Sequence, residues 1–224
     1  MPTLISNISI KGGQGKTTAL QTLAIELSNR DYPVVIRDLD IGSKSTLAMQ
    51  RHDLPFEIIG VSEKRPSNMV NLLDTPASYI YNSPDEALRY YASSNIILNC
   101  VSGGAGSVSN AIEVLAHLYA LEKLAEAQNT PVELVSKVVT IFTRNNHEPD
   151  LHAFRLHTPQ LGQDITAFYA LPDVFELETL HAKGEFINVS KSGKNSTYST
   201  AISDLADLVE QRCKIEKLKI VEAA

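Results

Sequence analysis

The chain has 224 residues, of which 43% are hydrophobic and 21% charged, a balance that excludes a disordered or fibrous protein. Its net charge of −6 does not predict the overall basic surface of a dedicated nucleic-acid binder. The two cysteines, Cys100 and Cys213, are not paired in a CxxC motif, so a disulfide framework, a redox dithiol and an iron–sulfur or zinc site are poorly supported. Without a membrane-spanning apolar run or a secretory signal, the chain is predicted to be cytoplasmic.

Six apolar runs rich in β-branched residues are predicted as strands, at residues 4–10, 32–38, 69–73, 95–101, 137–142 and 167–171. The apolar residues of the second run are continuous rather than alternating with polar ones, and the later runs show the same pattern. Strands buried on both faces of a parallel sheet require such continuous apolar runs. Residues 16–29, 107–127 and 198–219 are predicted as helices. The alternation predicts one α/β domain over residues 1–224: a doubly wound, mostly parallel, Rossmann-like sheet flanked by helices. Residues 216–224 are predicted to be a frayed tail.

The segment KGGQGKTT, residues 11–18, follows the first predicted strand and opens the first predicted helix. Glycines allow a tight turn that aims backbone N–H groups at phosphate oxygens, and the helix N-terminus adds the positive end of its dipole. Lys16 would reach the β- and γ-phosphates, and the hydroxyl of Thr17 would ligate Mg²⁺. A glycine-rich turn without a ligand is the alternative, but GK[ST] at such a junction is specific. The predicted P-loop for ATP or ADP consists of Lys11, Gly12, Gly13, Gln14, Gly15, Lys16, Thr17 and Thr18.

The motif departs from the plain Walker pattern, because Ile10 stands where that pattern has glycine and Lys11 precedes the glycine pair. This KGGxGKT[ST] form resembles the ParA/MinD family of deviant-Walker ATPases. RDLDIG at 37–42 resembles the second acidic motif of the family, and LLDTP at 72–76 resembles its Walker B strand end. LP at 171–172 and LHAKG at 180–184 resemble the late loop and helix that flank the nucleotide. The resemblance therefore extends over nearly the whole chain.

The resemblance implies a role for each charged residue of these motifs. Lys11 would reach across an ATP-bound sandwich homodimer to the nucleotide of the partner and, with Lys16, stabilise charge during phosphoryl transfer. Asp40 would position the attacking water. Asp38 and Asp74 would hold the Mg²⁺ shell together with Thr17.

The spacing of the two aspartates and a late group of residues complete the prediction for the nucleotide site. Asp38 and Asp40 alternate along a strand, so their side chains cannot be equivalent. The alternative for Asp40 is a purely structural role as the cap of a helix at 43–50. Arg144 and Pro172 are assigned to the nucleotide by the resemblance, and Thr143, Arg144 and Asn145 are expected near the adenine.

Two departures from the family pattern bear on the surface the protein would use. The Ile-Gly pair at 41–42 looks more like the MinD branch than the DxDPQ of many partition ATPases. The tail at 208–224 nevertheless lacks the aromatic wedge and continuous basic face of a membrane-surface helix, so no stable membrane association is expected. Because the chain begins at the first predicted strand, no N-terminal helix-turn-helix is expected either.

The resemblance implies non-specific DNA binding and a nucleoid-associated ATP state, with hydrolysis stimulated by a cargo adaptor of the ParB or an analogous type. The candidate phosphate-contacting residues are Lys183, Lys191, Lys194, Arg212, Lys214 and Lys217. Acidic residues are interleaved with them, and Asp173, Glu176 and Glu178 precede them, so an ordinary solvated face is the alternative.

A ParA-type ATPase that positions a plasmid, a chromosome region or a protein body such as a carboxysome is the leading functional prediction. A MinD-like membrane-cycling ATPase is the second. A metabolic kinase or synthetase would have no obvious use for Lys11, and an iron–sulfur scaffold would need a cysteine pair that the chain lacks.

Overall fold

The computed structural model describes residues 3–40, 53–64, 66–102, 106–143, 168–171 and 196–215. Its strands are β1 Leu4–Ile8, β2 Val34–Asp38, β3 Glu57–Ile59, β4 Val70–Asp74, β5 Ile96–Ser102, β6 Val138–Thr143 and β7 Phe168–Ala170. Its helices are α1 Lys16–Asn29, α2 Tyr79–Asn82, α3 Pro84–Ser93, α4 Ser107–Ala127 and α5 Ser196–Cys213, with one 3₁₀ turn at Val135–Lys137. The strands form one sheet in the order β3-β2-β4-β1-β5-β6-β7, and every neighbouring pair is parallel. The predicted doubly wound sheet is confirmed.

Helices cover the sheet on both faces, and each face has its own apolar core. On one face, α1 and α5 pack against side chains such as Ile5, Leu72 and Leu98. On the other, α3 and α4 pack against Ile97 and Phe142 among others. Successive residues of a strand point to opposite faces. Because helices cover both faces, the side chains on each face lie in an apolar core. This two-sided burial explains why the strands consist of continuous apolar runs.

All six predicted strands are present, with ends that differ from the prediction by at most two residues. β2 begins at Val34 rather than at residue 32, because Pro33 has no N–H to donate to a ladder. The sequence prediction missed the three-residue edge strand β3 and the helices α2 and α3. β3 is too short to show a period, whereas α3 carries a recognisable start signal in Pro84 at its first turn.

The last helix was predicted to run to residue 219, and that boundary is wrong. α5 ends at Cys213, because Lys214 adopts a left-handed backbone conformation with φ of 47° that cannot continue a right-handed helix. The predicted frayed tail at 216–224 lies outside the described residues. No helix in the described ranges is long and apolar enough to span a bilayer.

Arg30, just past the end of α1, connects α1 to α5. Its guanidinium donates to Glu26 at 2.9 Å, to Asp207 at 2.5 Å and to Glu210 at 3.1 Å. It also donates to the carbonyl and the hydroxyl of Ser203, at 3.0 and 2.7 Å. Burial alone would lower the pKa of Arg30, but these carboxylates hold it above its ordinary value. The network therefore fixes α5 on α1 with a permanently charged donor.

We expect Arg30→Ala to lower the free energy of unfolding by about 1–2 kcal/mol, because several charge-assisted hydrogen bonds are removed together. For a chain of this size the melting temperature should fall by roughly 2–8 °C in a thermal scan. Lys123→Ala is the matched control, since Lys123 pairs with Glu126 at 2.8 Å on the exposed surface. An equal effect of the two substitutions would contradict the interpretation.

Candidate functional site

The segment between β1 and α1 adopts the tight turn that the motif predicts. Gly13 and Gly15 both have φ of +72°, a left-handed conformation that glycine adopts without strain. Gly15 is the N-cap of α1, and its carbonyl accepts the first helical hydrogen bond from Ala19 at 2.9 Å. The turn lies where the sheet order changes direction, with β4 on one side of β1 and β5 on the other. Ligands of doubly wound sheets bind at this position.

Gly15 lies so close to the end of β6 that no larger residue fits. A Cβ placed on Gly15 would be 2.7 Å from Oγ1 of Thr143. That hydroxyl donates to the carbonyl of Gln14 at 2.9 Å. Thr143, expected near the adenine, therefore contacts the backbone of the phosphate loop, which is a role that the sequence prediction did not anticipate.

The side chain of Gln14 attaches the loop to a third strand. It is buried, and its Oε1 accepts hydrogen bonds from the backbone N–H of Ser102 at 2.9 Å and from the hydroxyl of Ser102 at 3.4 Å. Ser102 is the last residue of β5. The loop is thus fixed from β5 through Gln14 and from β6 through Thr143.

The two lysines of the motif have different environments. Lys16 is 7% exposed, and its ammonium donates to Oγ of Ser9 at 3.0 Å. The hydroxyl of Ser9 in turn donates to the carbonyl of Lys11 at 2.9 Å. Lys11 itself is exposed, as are Gly12 and Gly13. One cation therefore lies inside the loop and the other projects from its outer surface.

Three carboxylates lie at the carboxyl ends of β2 and β4. Asp38 and Asp74 are neighbours in the parallel register, and both are buried. Asp40 is partly exposed, and its backbone N–H donates to Oδ1 of Asp38 at 2.9 Å. Asp38 and Asp40 therefore differ in environment, which fits the expectation that they are not equivalent.

Asp74 connects the strand ends to the start of α1. Its Oδ2 accepts a hydrogen bond from the hydroxyl of Thr17 at 2.8 Å, and its Oδ1 accepts one from Nδ2 of Asn7, also at 2.8 Å. The Thr17 hydroxyl can donate its proton in this hydrogen bond to Asp74 while the lone pairs of its oxygen remain available to a cation. An oxygen set of this kind, completed by phosphate oxygens and water, suits Mg²⁺. A cluster of three or more His, Cys, Asp or Glu ligands, which such a site does not need, is absent from the described ranges.

The thiol of Cys100 lies beneath this site in β5. Burial raises its pKa to about 12, while Lys16 has a smaller lowering effect and Asp74 a smaller raising effect. A thiol with such a pKa stays protonated near neutrality and is a poor nucleophile or metal ligand.

The described residues include the whole predicted P-loop and the three aspartates, but only part of the remaining prediction. Arg212 is half-buried near the end of α5, and Lys214 is exposed directly after it, with its backbone N–H on the carbonyl of Glu210. The other predicted nucleotide and DNA residues lie outside the described ranges: Arg144, Asn145, Pro172, Lys183, Lys191, Lys194 and Lys217. The helix expected at 43–50, which Asp40 could cap, lies outside them as well. The prediction missed Asn7, Ser9 and Ser102, for which the only signal was a polar residue within or beside an apolar strand.

Three alanine substitutions should separate backbone strain from steric conflict in the loop. Gly15→Ala should be the most destabilising, by about 2–4 kcal/mol, because it combines a left-handed φ with a clash against Thr143. Gly13→Ala should cost about 1 kcal/mol, since its φ is the same but nothing lies within 4 Å of the new Cβ. Gly12→Ala is the control with neither problem. Chemical denaturation of the nucleotide-free protein would test this order, and equal effects at 13 and 15 would contradict it.

Comparison with known proteins agrees with the fold and the loop. Residues 5–185 match the family model of the CobQ/CobB/MinD/ParA nucleotide binding domain. No curated protein sequence matches the chain significantly.

Solved structures with the same fold include several ATPases of this group. An ATP complex of Cyanothece McdA superposes with a TM-score of 0.66 at 14% identity, over 97% of this chain and 98% of that one. The MinC:MinD complex of Aquifex aeolicus gives 0.65 at 17% identity, over 93% and 96%. A Borrelia burgdorferi protein assigned to plasmid partition, bound to AMPPNP, gives 0.60 at 15% identity, over 96% and 99%. The chain belongs to the CobQ/CobB/MinD/ParA family of nucleotide-binding domains.

Proposed function

We propose that this chain is a Mg²⁺-dependent ATPase of the ParA type that dimerises with ATP, binds DNA non-specifically and positions a cargo. The observation that carries the proposal is the contrast between the two lysines of the phosphate loop. Lys16 is held inside the loop by Ser9, where it can contact the phosphates of its own nucleotide. Lys11 is exposed on the outer surface of the same loop, where a second protomer can be reached.

The hydrolysis step assigns one task to each group of the site. Water attacks the γ-phosphorus, the bond to the β–γ bridging oxygen breaks, and ADP and inorganic phosphate are released. Asp40, partly exposed at the end of β2, orients the attacking water. Lys16 and the partner's copy of the exposed lysine at position 11 neutralise charge on the phosphates. Thr17, Asp38 and Asp74 would hold Mg²⁺, which neutralises phosphate charge when bound.

Loss of the γ-phosphate removes the interactions that favour the dimer, so hydrolysis returns the protein to monomers. One of the structural neighbours is a protein assigned to plasmid partition, which supports a positioning function. The cargo of this chain would be a plasmid, a chromosome region or a protein body, engaged through an adaptor protein.

Asp40→Ala should trap the dimer, because ATP binds but is not hydrolysed. In sedimentation, this variant should be a dimer with ATP and a monomer with ADP or without nucleotide. Adding Lys11→Ala to this variant should abolish the dimer while ATP still binds, whereas adding Lys123→Ala, on the exposed part of α4, should leave it intact. A monomer under every condition would refute the role of Lys11 between protomers.

The DNA-binding part of the proposal has its own test. The trapped dimer should bind random-sequence duplex DNA with an affinity that falls steeply as salt rises. Replacing Arg212 and Lys214 with glutamate should weaken binding and reduce the slope of log affinity against log salt by about 0.9 for each phosphate no longer neutralised. Lys64→Glu combined with Lys123→Glu, at two other exposed lysines, is the control for the same change in net charge.

MinD in its complex with MinC is also among the structural neighbours, so a membrane-cycling ATPase is the second candidate. Co-sedimentation of the trapped dimer with vesicles containing anionic lipid distinguishes the two. Binding to vesicles but not to DNA would favour the second candidate.

A further inference from the structure

Asn7 is a polar residue in β1, the middle strand of the seven-stranded sheet. It belongs to β1, which pairs with β4 on one side and β5 on the other, and it is completely buried. A buried amide is costly unless its hydrogen-bonding groups are satisfied. The partners of Asn7 therefore explain how it is accommodated there.

The contacts of Asn7 determine which way its amide group faces. Its Oδ1 accepts hydrogen bonds from the backbone N–H of Thr75 at 2.8 Å and from the hydroxyl of Thr75 at 2.9 Å. A backbone N–H can only donate, so the atom facing it must be the amide oxygen. The amide nitrogen consequently faces Asp74 and donates to its Oδ1 at 2.8 Å.

Asn7 and Thr17 thus hold opposite oxygens of one buried carboxylate. Asn7 donates to Oδ1 from the strand, and Thr17 donates to Oδ2 from the first turn of α1. Two donors on different oxygens fix the rotation of the carboxylate about its side-chain bond. Removal of the strand donor takes away the hydrogen bond from Asn7 to Oδ1.

We propose that Asn7 is the positioning residue of the magnesium site, acting through Asp74 rather than by contact with the metal. The inference rests on the proposed function, because it assigns a partner to the carboxylate that would hold Mg²⁺ beside the nucleotide. Outer partners of metal-binding groups typically change metal affinity by about 10–100-fold when they are removed.

The neighbouring strand supplies a matched control in Asn99. Asn99 is also completely buried, and it is paired with Ile8 in the register of β1 and β5. Its amide nitrogen donates to the carbonyl of Ala111 at 3.2 Å, on the α4 face of the sheet. Asn99→Leu therefore removes a buried amide from the same sheet without removing a donor to Asp74.

The experiment measures binding of a fluorescent ADP analogue to the wild type, Asn7→Leu and Asn99→Leu, with excess MgCl₂ and with EDTA. The ratio of the two dissociation constants is the coupling between metal and nucleotide, and melting temperatures without nucleotide verify folding. We expect Asn7→Leu to reduce the coupling by about 10-fold or more, through weaker binding in MgCl₂ with little change in EDTA. Asn99→Leu should keep the coupling of the wild type. If Asn7→Leu does not fold, Asn7→Ser is measured instead, since serine is too short to bridge Thr75 and Asp74.

Wild-type coupling in the Asn7 variant would overturn the inference, and so would an equal loss in both variants, which would indicate a general effect of opening the core. Failure of the proposed function looks different. In that case the wild-type protein itself would not bind the nucleotide analogue, with or without Mg²⁺.

Discussion

The buried carboxylate of Asp74 is the group whose requirements organise the centre of this protein. An anion cannot be withdrawn from water unless nearby donors replace its hydration. Asn7 in β1 and Thr17 in α1 are two such donors, and they come from different elements. β1, β4 and the phosphate loop therefore have to meet in one register, and the position of α1 follows from it. The geometry of the site therefore follows from the hydrogen bonds that the buried carboxylate of Asp74 requires.

A second constraint acts on the backbone of the loop rather than on a charge. Thr143 approaches Gly15 too closely for any side chain, and Gln14 reaches the end of β5. A phosphate-binding loop must present its N–H groups in a fixed arrangement, because a loop that reorganised on binding would bind more weakly. Hydrogen bonds from β5 and β6 give the loop that rigidity before any ligand arrives.

The phosphate loop, the aspartates and the parallel sheet could be predicted because they depend on local patterns. KGGQGKTT fixes a turn through its own glycines, and continuous apolar runs indicate burial on two faces. Asn7 could not be assigned, because its partner depends on which residue of β4 lies beside it, and that follows from register. The hydrogen bond from Thr143 to the loop could not be predicted for the same reason. β3 escaped prediction because three residues are too few to show a period.

The hydrogen bonds of the loop also determine when, during folding, the phosphate-binding loop reaches its final structure. Gln14 meets Ser102 across a separation of 88 residues and Thr143 across a separation of 129. Contacts between distant parts of a chain form late, because the intervening segment must first be ordered. During synthesis the motif emerges before β6, so the hydrogen bond from Thr143 to the loop cannot form until residue 143 has followed. An amino-terminal fragment ending before β6 would carry the whole motif and still lack a finished binding loop.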